Sequence, residues 1–572
     1  MTSPRESRGG ASCDSEVAQQ AERGETVKTI AIALAVAGAL AIAGSASAAG
    51  WTSNVPFTNV VASSPTTGGG YPSDASGAPH AGTCGPGSFN SNHSESWLAV
   101  QPGTENIVGA SKFFFGPWST FYNFYLGSYT IPNGTPAGNN QVQGYDCVST
   151  GTQAMPPSWT NATDPNVAWD LEGRVYQATL PFNAYWTNLH PDGAIDVSYS
   201  DDMGRHWIKG NGGRDLEQAP NASSFQLGHV EDKQWIAVND VPLSRYRDHV
   251  YAMWSVFNKD TTKIRIAVSR DRGATFSKAV TITAPSETGP SNTYIYPSVD
   301  ASGVLYIAFT SFPLNRNQAP PTIYVSRSVD DGQTFAPFIA AVSNVGVLPA
   351  TDLPNTLFRD GITENFAASP TYPGHVYLTY EDWDGMQMDV KFTQSTDGGF
   401  TWSTPVVVND AANSSSTDQF QPSVAAGPNG AVAVAFYDRR EACPNDKSVL
   451  KGDGGRTNFC IDTSLQAYKD SGSGAVRAGG NVRISQFSWD PNQPQQHVGG
   501  IGQYPCAAVE DPCTGDGFIG DYFGLAVSAG NIYALMVSTH YPSGVRADEG
   551  GPVYYQQQVL ATVPRAGFGG GY

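Results

Sequence analysis

The stretch STDGGFTW, Ser395 to Trp402, decides how this chain reads. A serine, an aspartate two places on, a glycine two further and an aromatic in eighth place could form a calcium loop, a catalytic turn or a hairpin staple. The pattern recurs as SDDMGRHW at Ser200 to Trp207, SRDRGATF at Ser269 to Phe276 and SVDDGQTF at Ser328 to Phe335. Four matches to S-x-D-x-G-x-x-[WF], 69, 59 and 67 residues apart, mark an internal repeat. A β-rich run such as KIRIAVS or TIYVS leads into the motif, which therefore reads as a hairpin turn. Asp and Ser side chains can bond turn amides, glycine supplies the special backbone angle, and the aromatic packs beneath. Each copy offers few oxygen ligands, so calcium is the minor alternative to a structural staple.

In this motif the chain resembles the sialidase-like β-propellers, whose Asp boxes, or bacterial neuraminidase repeats, share the pattern. The resemblance covers about Glu95 to Val563. It implies an all-β fold in which the box closes the turn between a blade's third and fourth strands, opposite the active site. A second recurring run extends the repeat: NIVGASKF, RVYQATL, HVYAMWS, VLYIAFTS, HVYLTYED, AVAVAFYD and NIYALMVS read as second strands. Upstream of them, WLAVQP, PNVAWD, QWIAVND, PSVDAS, NFAASP, PSVAAG and GLAVSAG read as innermost strands. Seven copies favour a β-propeller of seven four-stranded antiparallel blades, with circular closure protecting most edges. Family sialidases look six-bladed, which leaves six blades plus an extra hairpin as the alternative.

At 572 residues and 60.6 kDa the chain exceeds an ordinary domain, as a modular all-β fold permits. Residues 1–49 read as a leader and signal peptide, because the apolar run TIAIALAVAGALAIAG ends in the small residues SASAAG. The run is short for a membrane span. Residues 50–90, rich in Ser, Gly, Pro and Thr, read as a flexible arm, residues 91–563 as the propeller and 564–572 as a tail. Beyond the leader, six cysteines suit an oxidising compartment. Nearest-neighbour pairing would join Cys84 with Cys147, Cys443 with Cys460 and Cys506 with Cys513, other pairings remaining open. A net charge of −19 argues against nucleic acid and anionic membranes as partners. The partner expected is an extracellular glycan or glycoprotein, met by a secreted monomer. No cofactor is expected beyond a possible calcium ion.

In a propeller the residues just before the innermost strands converge on one channel mouth. These are Glu95, Asp164, Asp232, Tyr296, Glu364, Gln421 and Asp521, five of them acidic. Crowded carboxylates could bind a cation or supply an acid with a raised pKa; their plainer role is to cap strands. The second-strand ends add TYEDWDG with Tyr380, Glu381 and Asp382, FYDRR with Tyr437, Asp438, Arg439 and Arg440, and STHYPSG with His540 and Tyr541. Two arginines beside Asp438 could clamp a carboxylate or could form a bridge between blades. The family resemblance implies three arginines on a substrate carboxylate, a tyrosine nucleophile activated by a glutamate, and an aspartate acid. On predicted facing these are Arg316, Arg359 and Arg439 or Arg440, with Tyr522, with Glu364 or Glu381, and with Asp232; Asp438 and Asp521 would add substrate contacts. The family's early Arg-Ile-Pro motif is missing, which puts that triad in doubt. The expectation is a secreted glycoside hydrolase of sialidase type acting on terminal sugars, sialic acid among them. The alternative is a non-catalytic propeller that binds glycan or protein.

Overall fold

Each Ser-x-Asp-x-Gly stretch folds the same way in the computed structural model. Ser395 Oγ donates to Asp397 Oδ1 at 2.8 Å and accepts the Gly399 amide at 2.9 Å, while the Thr401 amide donates to the same carboxylate oxygen. The Ser200, Ser269 and Ser328 copies repeat the serine bonds to their own aspartate and glycine. The chain reverses at each with its polar groups satisfied from within. The structure describes residues 51, 54–63, 93–114, 124–143, 161–182, 193–218, 230–258, 261–313, 319–349, 353–356, 358, 360–361, 364–411, 416–493, 518–543, 553–569 and 571–572. They belong to one unit, Ala48–Tyr572.

The regular structure of the described residues is almost entirely antiparallel β-strand, arranged as seven successive meanders. The first comprises His93–Val100, Ile107–Phe114, Phe124–Ile131 and Gly138–Gln143. The second comprises Asn161–Trp169, Val175–Phe182 and Ala194–Ser200, with Ile208–Lys209 and Glu217–Gln218 on its outer edge. Val230–Val238, Val250–Asn258, Thr261–Ser269 and Val280–Thr281 form the third; Ser291–Val299, Leu305–Phe312, Thr322–Ser328 and Ile339–Ser343 form the fourth. One parallel pair, Thr262 with Ser291, joins those two into a single eight-stranded sheet. The fifth holds Glu364–Ala368, Val376–Trp383, Met388–Ser395 and Val406–Val407. The sixth holds Gln419–Ala426, Ala431–Asp438 and Asp462–Asp470, edged by Ala475–Arg477 and Val482–Arg483. The last, Gly524–Val527, Asn531–Ser538 and Gln557–Pro564, takes its outer strand from the other end of the chain, Thr58–Val61. All seven second-strand runs picked out by sequence lie on second strands. Each first strand packs on the first strand of the next meander, and Gly524–Val527 packs back on His93–Val100.

The turns do more than close hairpins, because they also hold neighbouring meanders together. Tyr176 and Arg272, from the second and third meanders, meet the buried Asp170 at 2.8 and 2.7 Å. His249 and Tyr251 of the third meet Asp331 in the fourth meander's turn at 2.8 and 3.0 Å. Asp300 accepts the Tyr306 hydroxyl at 3.3 Å and the amide of Gly374 in the fifth meander at 2.8 Å. His375 and Tyr377 of the fifth meet Asp470 of the sixth at 2.6 and 2.7 Å, and Tyr533 of the last donates to Glu105 of the first at 2.6 Å. Each of these tyrosines is the Tyr of a VY, LY or IY pair in the runs quoted above. Close approach also fixes Gly273: its φ is +83°, and a Cβ there would lie 3.0 Å from the Tyr176 ring.

Two expectations about the chain ends are corrected. Part of the presumed arm is a paired strand, Thr58–Val61, preceded by the buried Val55 and by Trp51, whose indole N–H donates to Ser464 at 2.6 Å. Alternating half-buried and exposed side chains drew no notice there because the flanking Ser/Gly/Thr composition reads as linker. The tail is held too, with the Tyr572 hydroxyl donating to the Val432 carbonyl at 2.8 Å and Arg565 to the Tyr572 carbonyl at 2.9 Å. Of the expected disulfides, Cys443 to Cys460 is formed. Cys84, Cys147, Cys506 and Cys513 lie outside the described residues.

Replacing Asp170 by Asn keeps the shape but removes the charge that Tyr176 and Arg272 share. Urea unfolding should show a loss of about 2 kcal/mol or more. Arg272→Ala should lose less than half of that, its guanidinium being about a third exposed. Equal losses would show that the ion pair, and not the buried tyrosine bond, carries the lock.

Candidate functional site

Five first strands carry a β-bulge near their beginning, where two residues face one on the second strand. Glu95 and Ser96 lie opposite Ser111, Asp164 and Pro165 opposite Thr179, Lys233 and Gln234 opposite Trp254. Tyr294 and Ile295 lie opposite Phe309, and Gln421 and Pro422 opposite Phe436. The leading residue of each bulge is left-handed, with φ of 50° at Glu95, 53° at Asp164, 51° at Lys233, 56° at Tyr294 and 44° at Gln421. Such a backbone is costly for a residue with a side chain and recurs where bulges re-aim groups toward a site. Three of the five, Asp164, Lys233 and Tyr294, line one narrow pocket together with Tyr296, Asp521 and Tyr522.

The polar half of this site is a chain of alternating charges. Lys233 Nζ donates to Asp521 at 2.8 Å and lies 3.5 Å from Asp164. Thr163 Oγ1 donates to Asp164 at 2.6 Å, and behind it Lys112 pairs with Glu95 at 2.6 Å. Burial works against ionisation of Asp164, but Lys233 and Lys112 outweigh it and hold the carboxylate at about 2. Glu95 goes the other way, since burial and then the Asp164 charge push it up to about 8 against Lys112. Asp232 is also raised, by burial and by Asp164 and Asp521, against the pull of Lys233. Burial opposes the ammonium of Lys233, yet Asp521 and Asp164 keep it charged. Neighbouring carboxyl groups are thus pushed toward opposite protonation states.

The other half is aromatic. Trp235 lies edge-on to Trp97 at 4.6 Å, to Tyr296 at 4.7 Å and to Tyr522 at 5.1 Å between centroids. Burial, then the charges of Glu95 and Asp164, push the Tyr522 phenol well above its usual range. That ring keeps its proton and is fitted to hydrogen bonding rather than to attack as a phenolate.

The sequence-derived set divides accordingly. Asp521 and Tyr522 line this pocket, whereas Asp232 stands outside its lining, near enough to Lys233, Asp164 and Asp521 to feel their charges. Glu364 is buried on its strand, while Glu381 accepts the amide of Gln421. The carboxylates acting most strongly on Tyr522 are Glu95, Asp164 and Asp521, in place of the expected Glu364 or Glu381. Arg439 is fully buried, donating to Asp418 at 2.9 Å and to the carbonyls of Pro354 and Asn458. Arg440 binds Asp438 at 2.7 Å and Asp410 at 2.8 Å. FYDRR is thereby a bridging element, with Asp438 and both guanidinium groups directed inward rather than at a ligand. Arg316 and Arg359 lie outside the described residues. Lys112, Lys233, Tyr294 and Asp360 were missed. The buried Asp360, raised well above its usual range by burial, accepts from Gln421 at 3.4 Å. The one sequence signal for Lys233 and Tyr294 is their nearness to Asp232 and Tyr296, from which a bulge shifts the register. Among the described residues no group of three His, Cys, Asp or Glu side chains is arranged to hold a metal ion.

No family model matches the chain, and no curated protein matches it. Solved structures that resemble it include the Hadza microbial sialidase Hz136, at 12% identity over 80% of this chain and 76% of that one, with a TM-score of 0.37. The phage phi92 endosialidase matches at 8% identity over 89% of this chain and 69% of its own, with a TM-score of 0.43. A polysaccharide lyase of family PL25, an ulvan lyase, matches at 9% identity over 78% and 91%, with a TM-score of 0.39. At such scores the likeness carries no weight for fold or chemistry.

The buried Glu364 gives the fold a pH signature. Burial raises it from 4.5 to about 8, so between those values the folded protein holds a proton that the unfolded chain has released. Its contribution to stability is therefore full below the unfolded value and declines as pH rises toward the folded one. Glu364→Gln should flatten the fall in Tm from about pH 5 to about pH 8. An unchanged slope would mean that Glu364 ionises alike in both states.

Proposed function

We propose that the chain is a seven-bladed β-propeller that hydrolyses terminal glycosidic bonds of extracellular glycans at its channel mouth. The seven meanders and the circular order of their first strands support the blade count. Secretion as a monomer after loss of the leader, with no cofactor, belongs to the same proposal and rests on the sequence. The observation that carries the reaction is the pair Asp164 and Asp232, on neighbouring first strands around Lys233. Lys233 and Lys112 hold Asp164 ionised, while burial raises Asp232 above its usual value. Glycoside hydrolysis asks for that division: a protonated carboxyl for the leaving oxygen and an ionised one for the opposite side of the sugar. Asp232 takes the acid role and Asp164 the base or nucleophile role, with Tyr522 and Asp521 holding hydroxyl groups.

A second reading, glycan binding without turnover, is favoured by the narrowness of the pocket and by its aromatic walls. A panel of fluorogenic aryl glycosides separates the two. On the first reading at least one glycoside turns over, and Asp164→Asn and Asp232→Asn each lower kcat by roughly 10²- to 10⁴-fold with KM little changed. Turnover that survives both substitutions would remove these residues from the reaction. A wild-type protein inert on every glycoside would leave the binding reading.

A further inference from the structure

We propose that Asp521 is a specificity-determining residue that closes this pocket to acidic glycans and reserves it for sugars bearing no carboxylate or sulfate group. The inference rests on the glycan-acting reading above and adds the class of sugar. Its basis is the state of Lys233, the one cation among the described lining residues. An acidic sugar needs an uncommitted cation, yet the Lys233 ammonium already has Asp521 at 2.8 Å and Asp164 at 3.5 Å. An incoming carboxylate would have to displace Asp521 and then lie beside it. Like charges at that range repel strongly where little water separates them.

A sugar without such groups meets a different surface. The carboxylates of Asp164 and Asp521 can accept its hydroxyl protons, and Tyr294, Tyr296 and Trp235 offer ring faces and edges to its C–H groups. Tyr522 supplies the second, independent sign of a ligand. Its side chain lines the pocket, the residue is 8% exposed, and its hydroxyl has no hydrogen-bond partner among the described residues. A buried hydroxyl left so is rare in a folded protein, and a ligand oxygen would satisfy it. Asp521 is well placed to impose the choice, since the preceding Gly520 runs against the Glu95 backbone, where a Cβ would lie 2.7 Å from the Glu95 nitrogen. The Gly520 carbonyl is held in addition by Gln421 at 2.7 Å. The carboxylate therefore follows the ring of first strands and not a free loop.

The test is a printed glycan array carrying neutral, amino, sialylated, uronylated and sulfated termini, probed in the cold with the labelled protein and its Asp521→Asn variant. The wild type should bind only termini without acidic groups, and Asp521→Asn should gain roughly tenfold on sialylated or uronylated termini as Lys233 loses a partner. A merely structural Asp521 would lose signal and gain none. Tyr522→Phe should weaken binding to the non-acidic termini with Tm unchanged. Should Asp521→Asn fail to fold, Asp521→Ser removes the same charge and must show the same gain. Binding of acidic termini by the wild type, or no gain in the folded variant, would overturn the assignment while leaving a glycan-acting protein. Absence of any binding, together with absence of turnover, would count against the glycan reading itself.

Discussion

The structure depends on a buried carboxylate shared between neighbouring meanders. A meander of three or four strands has two faces to cover and edges to protect, and here each covers its neighbour. Packing of apolar side chains brings the sheets together without fixing their relative height or angle. The bonds of Tyr176 and Arg272 to Asp170, of Tyr251 to Asp331 and of Tyr377 to Asp470 do fix them, because a hydrogen bond to a carboxylate is short and directional. Removing one partner would leave a buried charge without compensation. Glu105 and Tyr533 apply the same device between the last meander and the first.

Those locks gather at one end of the strands, beside the Ser-x-Asp-x-Gly turns, whereas the five bulges lie toward the other end. The left-handed bulge residues Glu95, Asp164, Lys233, Tyr294 and Gln421 cost of order 1–3 kcal/mol each, and such strain persists only where the surroundings over-determine it. Strands pinned by the turns cannot slide to relieve the bulges. Rigidity at one end thus sustains an unfavourable backbone at the other, where it sets charged and aromatic side chains around one pocket.

The repeat was legible because its parts are local. A serine, an aspartate and a glycine within five residues make their bonds to one another, so sequence shows the turn whole, and the seven recurring apolar runs mark the second strands. Ends that pair across the whole chain were not legible: Thr58–Val61 finds its partner at Gln557–Pro564, and nothing near either predicts the other. The site was half legible for a related reason. Counting back from the innermost strands reached Glu95, Asp164 and Gln421, which do lead their bulges, but it missed Lys233 by one residue and Tyr294 by two. A bulge inserts one residue without changing composition, and a one-residue error in a strand exchanges the two faces.

The two arginines of FYDRR show why composition misleads about binding. In sequence, adjacent guanidinium groups beside an aspartate resemble an anion clamp. In the structure that aspartate is the anion, joined by Asp410 and Asp418, and both arginines are consumed in holding the fifth and sixth meanders and the loop closed by Cys443 and Cys460. Lys233 has one fewer formal attraction as a candidate, since a single lysine in a strand draws no attention. It nevertheless reaches the pocket, and its two carboxylate neighbours come from different meanders. What distinguishes a site here is therefore the placement of partly compensated charge where a ligand can reach it, and that placement is set by backbone register, which composition does not record.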